Sequence, residues 1–121
     1  MTKKIVNVSS QSFTYNIDTK RKGDTVMKIL VNTSFGGFGL KDEYYADFMA
    51  RTQGLDDIRE DEKLIALVEQ GVDIGDSYAE IGIAEIPDNA TDYVIEEYDG
   101  KETVLYVVDG KIRYAEKKCF L

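Results

Sequence analysis

Two Asp-Gly dipeptides, Asp99-Gly100 and Asp109-Gly110, each stand between runs rich in valine, isoleucine and tyrosine. A two-residue type I′ turn needs positive φ at both central positions, and Asp-Gly meets that need at little cost. The pair of dipeptides predicts an antiparallel meander. One strand opens with Tyr93, Val94 and Ile95, the next runs over 104–108, and the last over 112–115. Every reading of the rest of the chain has to accommodate this sheet.

Upstream, Ile29-Leu30-Val31 is continuously apolar, so 26–32 is expected to be a buried central strand. Phe13, Tyr15 and Ile17 alternate with polar residues and predict a half-buried strand, joined to it by a turn over 20–24. Met27 is a candidate alternative start, which would make residues 1–26 a dispensable hairpin-strand addition. Asp42 to Gln53 reads as a helix with Tyr44, Tyr45, Phe48, Met49 and Thr52 on one face, ended by Gly54. A charged link, 56–59, leads to a second helix capped by Asp61. Its apolar face is Leu64, Ile65, Leu67 and Val68, and Gly71 ends it. Ala79, Ile81 and Ile83 alternate as a strand that Pro87 breaks. The predicted order is β-β-α-α-β-β-β-β: an α+β class, a mainly antiparallel sheet of about six strands with two helices packed on it, in a single domain over 1–121.

The chain has no histidine and one cysteine, Cys119. That excludes Ser-His-Asp and Cys-His catalysis, histidine metal sites and an internal disulfide framework. No apolar run approaches the ~18 residues of a membrane span, and the N-terminus shows no secretory h-region. The expectations are a cytoplasmic setting, no membrane association and no cofactor.

Net charge is −8 and unevenly placed. Residues 29–110 are strongly acidic, while 1–28 and 111–121 carry a basic excess. An acidic body repels phosphates, so direct nucleic acid binding is not expected; the same field attracts a basic protein surface. Asp42, Glu43, Asp47, Asp56, Asp57, Glu96, Glu97 and Asp99 are the candidate interaction surface. The bland alternative is that these acids keep the protein soluble.

A second constellation is Phe35-Gly36-Gly37-Phe38-Gly39 between a strand and a helix, with Lys41 at the helix start. Glycines let backbone N–H groups approach an anion, and a helix N-terminus adds positive potential. These residues, with Tyr98, are the candidate site for a small phosphorylated ligand. The spacing matches neither the Walker nor the dinucleotide pattern. The structural alternative is a tight loop whose Phe35 and Phe38 plug the core. Glu96, Glu97, Asp99 and nearby Glu102 could hold a cation, but they lack a calcium loop's ligand series.

Residues 27–40, MKILVNTSFGGFGL, and 78–100, YAEIGIAEIPDNATDYVIEEYDG, resemble a family of small uncharacterised phage and prophage proteins. Those proteins share a strand-GGFGL loop, an Ile-Pro-Asp turn and an EYDG hairpin. Arg59-Glu60-Asp61 and the helix ending at Gly71 fit the intervening segment. The resemblance covers a core over 27–104 and leaves 105–121 as a C-terminal strand and tail. Lys41 replaces the family's serine, and the family's terminal His-Arg stretch and tryptophan are missing. The resemblance implies a phage context and no mechanism; because no remaining catalytic set has diagnostic spacing, the expectation is a non-enzymatic accessory protein that acts by binding, with antagonism of a host antiviral defence as its expected role. The alternatives are capture of a small phosphorylated or signalling nucleotide, and a virion or assembly protein, which would self-associate as a homo-oligomer.

Overall fold

Strand β1 (Val26–Asn32) is apolar on both sides because both sides are covered. Cβ atoms alternate across a strand. Leu30 therefore faces one way, into Phe48, Leu64, Ile65, Val68 and Ile74. Ile29 and Val31 face the other way, toward Val104 and Ala115. A computed structural model describes residues 26–121. The predicted strand at 13–17 and turn at 20–24 lie outside the described residues.

Helices α1 (Asp42–Thr52) and α2 (Glu62–Glu69) cover one face of a first sheet ordered β1-β2-β6. Its central strand is β2 (Ile81–Pro87), and its far edge is the short β6 (Glu116–Lys118). A second sheet, β3 (Asp92–Tyr98), β4 (Lys101–Val108) and β5 (Lys111–Tyr114), covers the other face. All strand pairs are antiparallel. The α+β class and the two helices follow the sequence expectation, and so do the I′ turns. Asp99 and Gly100 have φ of 51° and 90°, and Asp109 and Gly110 have 52° and 74°.

Several expectations need correction. The strands form two three-stranded sheets instead of one sheet of six. The division occurs at Ala115, which is buried and donates its N–H to the Val104 carbonyl at 2.9 Å. The chain leaves the second sheet there and joins the first as β6, so residues 105–121 complete both sheets. Among the described residues β1 pairs only with β2; the central strand is β2. That strand begins at Ile81, and Gly82 and Ala84 lie on its second covered face, where alternation predicted solvent. On α1 only Tyr44 and Phe48 reach the core, while Tyr45 and Met49 are exposed. Gln53 as well as Gly54 takes the left-handed conformation at its end. The link at 56–59 contains a 3₁₀ turn, Ile58–Glu60, and Asp57 caps it by accepting the Arg59 N–H at 2.9 Å. Asp61 caps α2 as expected, accepting from the Leu64 N–H.

Candidate functional site

The acidic residues fall on two separate layers. On the helix side, Glu43, Asp47 and Arg51 share an i, i+4 stripe of α1, with Asp42 beside them. Arg51 Nε donates to Asp47 at 2.8 Å, and its two terminal nitrogens donate to Asp61 at 3.1 and 3.0 Å. Lys63 Nζ also reaches Asp47, at 3.0 Å. Next to this lattice is an open groove of about 560 Å³, lined by Asp56, Asp57, Glu60, Asp61 and Glu62 against Arg51 and Lys63. The other predicted acids, Glu96, Glu97 and Asp99, stand at the β3–β4 hairpin. Glu97 serves the turn itself, accepting the Gly100 N–H at 2.8 Å. Among the described residues, no three histidine, cysteine or carboxylate side chains converge as a metal site.

Burial pushes the Asp61 carboxyl up, but hydrogen bonds from Arg51 and the Leu64 N–H outweigh it and hold the group below its ordinary 3.8. Hydrogen bonds from Arg51 and Lys63 likewise lower Asp47. A carboxyl depressed in the folded state stabilises the fold above its unfolded pKa, and that stability is lost as pH falls through the folded value. Arg51→Ala removes the chief lowering contact on both acids. Its acid-unfolding midpoint, followed by circular dichroism below pH 3.8 and compared with wild type, is expected to move upward. An unchanged midpoint would show that the lattice adds nothing to folding.

The glycine-rich loop is built differently from an anion cradle. The Gly36 N–H donates to the Asp99 carbonyl at 2.9 Å. A Cβ at Gly36 would stand 2.6 Å from the Tyr78 carbonyl oxygen. Gly39 packs against the Asp76 carboxylate, which any phosphate there would meet. Lys41 turns away, and its Nζ donates to the Asp73 carbonyl at 2.8 Å. The loop, the hairpin and Tyr78 do converge. Phe35 is 61% and Tyr98 74% exposed. Their rings meet edge-on at 6.5 Å, and Lys101 sits 5.7 Å above Phe35. The structure thus joins Phe35, Gly36, Gly37 and Tyr98, and leaves Lys41 apart. Phe35 does not plug the core. Phe38 does pack on it, with the Arg59 guanidinium 4.0 Å over its ring.

Sequence reasoning missed a buried polar junction behind this loop. Glu102 is 5% exposed. Its two oxygens accept from the Arg59 guanidinium at 2.7 and 2.8 Å, and Oε1 also accepts the Asn32 N–H at 2.9 Å. Arg59 further donates to the Leu30 carbonyl at 3.2 Å. Among the described residues no strand lies on the other side of β1, and there the two side chains satisfy the Leu30 carbonyl and the Asn32 N–H. Asn32, fully buried, donates to the Ser34 and Gly100 carbonyls and accepts the Glu80 N–H. One signal was present: Glu102 shares the inward face of its strand with Val104 and Tyr106. Tyr93, on the neighbouring strand, has its phenol pushed upward by burial and by a hydrogen bond to Glu60.

No protein-family model, curated protein or solved structure matches this chain. The likeness to small phage proteins rests on the residues quoted for it. Among the described residues no helix is long and apolar enough to cross a membrane.

Proposed function

We propose that this protein acts by binding, without catalysis, and that its acidic helix-side surface docks on a basic surface of another protein. The observation that carries this reading is the groove at 56–63, where five carboxylates face two cations. Asp42 and Glu43 extend the same negative field along α1. Electrostatic complementarity of this kind raises association rates and selects partners by charge. In the phage setting that the resemblance implies, the partner is a host defence effector whose basic surface otherwise holds nucleic acid. Capture of a phosphorylated ligand at the glycine-rich loop has weaker support, because Lys41 and the Gly36 N–H are engaged within the fold.

The test is affinity capture from host lysate with the wild-type chain and with a Glu43→Lys, Asp56→Lys, Glu62→Lys variant. The wild type is expected to retain one stoichiometric protein that elutes as salt rises, since exposed charge contacts are screened beyond about 8 Å at physiological ionic strength. The variant is expected to bind that protein at least ~100-fold more weakly, since like charges set against one another cost several kcal/mol. Retention that ignores both salt and charge reversal would overturn the proposal.

A further inference from the structure

Val26, the first described residue, lines a second groove, of about 530 Å³, beside the start of β1. Met27 and Ile65 line it too, with the carboxylates of Glu60, Glu62, Glu69 and Asp88. Lys28 is the one cation of this lining, so four carboxylates face one positive charge. That charge is already taken, since Lys28 pairs with Glu69. Glu60 accepts a hydrogen bond from the Tyr93 hydroxyl. Glu62 and Asp88 are exposed, and among the described residues neither forms an ion pair.

Because Val26 is part of the groove, the chain that precedes it starts there. Residues 1–25 carry five basic side chains against two acids, Asp18 and Asp24. Three of the five, Lys20, Arg21 and Lys22, are consecutive and stand four to six residues before Val26. Four residues span at most ~14 Å, so Lys22 lies no farther than that from Val26. We propose that this groove seats Lys20-Arg21-Lys22 of the same chain, their charges on Glu62 and Asp88 and their methylene stems along Met27 and Ile65.

Exposed ion pairs are individually weak. A short tether changes their occupancy, because it holds the stretch near the groove at an effective concentration in the millimolar range. Asp24 opposes the seating, and the three cations outnumber it. Glu60 and Glu62 also line the helix-side groove. The seated stretch therefore contends with a basic partner for these two acids, a consequence that rests on the proposed function. The seating itself needs only the charges and the connectivity.

Limited trypsin digestion of the full chain, followed by mass spectrometry, tests the proposal. Trypsin cleaves after lysine and arginine, and its rate tracks the fraction of time the stretch is free. Cleavage after Lys3 and Lys4 is the reference, because those residues lie outside the proposed contact. The Glu62→Gln, Asp88→Asn variant removes both charges and adds no cleavage site. With an unchanged circular dichroism spectrum, it is expected to raise cleavage at 20–22 about 10-fold relative to the reference. Wild type is expected to show a similar rise in ~0.5 M salt, where the screening length falls to about 4 Å. The salt comparison stands even if the variant does not fold. Equal relative rates in wild type and folded variant overturn the proposal, as does protection that salt leaves unchanged. Protection that grows with protein concentration assigns the stretch to the groove of a second copy and overturns it too. No partner enters the assay, so its failure is separate from a failure of the proposed function.

Discussion

Arg59→Ala is expected to lower the unfolding free energy by about 3–5 kcal/mol, the usual cost of removing one member of a buried ion pair. The cause is the carboxylate left behind. The side chain of Glu102 is 7% exposed and that of Arg59 22%, so little water can replace the guanidinium. Two charge-assisted hydrogen bonds disappear from Glu102, and the Leu30 carbonyl loses its donor. Phe38 loses the cation over its ring. Glu102→Gln keeps an acceptor for the Asn32 N–H and leaves Arg59 nearer to solvent, so a smaller loss is expected. Urea unfolding of the two variants measures both values, given a shared slope. A loss under about 1 kcal/mol for Arg59→Ala would place the pair in the class of surface salt bridges.

Gly100→Ala and Gly110→Ala form the second comparison, and they are expected to differ sharply. Both glycines follow an aspartate in a hairpin turn at positive φ, so both substitutions incur about 1–2 kcal/mol of left-handed backbone strain. Gly110 has open space where a Cβ would go. At Gly100 the new Cβ would stand 2.6 Å from the Gly36 nitrogen and would overlap the Gly37 nitrogen. Both are backbone atoms, so the hairpin and the glycine-rich loop must separate. That breaks the Gly36–Asp99 and Asn32–Gly100 hydrogen bonds. Gly100→Ala is expected to lose at least ~2 kcal/mol more than Gly110→Ala, the two hydrogen bonds contributing about 1 kcal/mol each. It is also expected to alter the chemical shifts of Phe35 and Tyr98, whose rings the junction holds together. Equal losses in denaturant unfolding would show that the contact between the two loops carries no strain.

Much of the fold was legible because it rests on local chemistry. The sequence by itself determined both Asp-Gly turns, the Asp61 cap, the Gly71 stop and the apolar runs of β1 and β2. These depend on φ preference, on one hydrogen bond within four residues, or on side-chain period. It also determined the chemistry the chain lacks, since histidine catalysis requires a histidine. Only the tertiary structure decided how the strands are divided. Alternation says which residues share a face and leaves open what covers it, so a strand buried on both faces looks the same at a sheet's centre as in β1, which among the described residues pairs on one side and meets Arg59 and Glu102 on the other. The candidate sites followed the same rule. The acids were visible as residues, but their split between the helix layer and the β3 hairpin depends on packing. The two Asp-Gly turns are identical as dipeptides and equal in their demand for positive φ. What makes one a free turn and the other the clasp on the glycine-rich loop is a contact between segments more than sixty residues apart, which no local preference encodes.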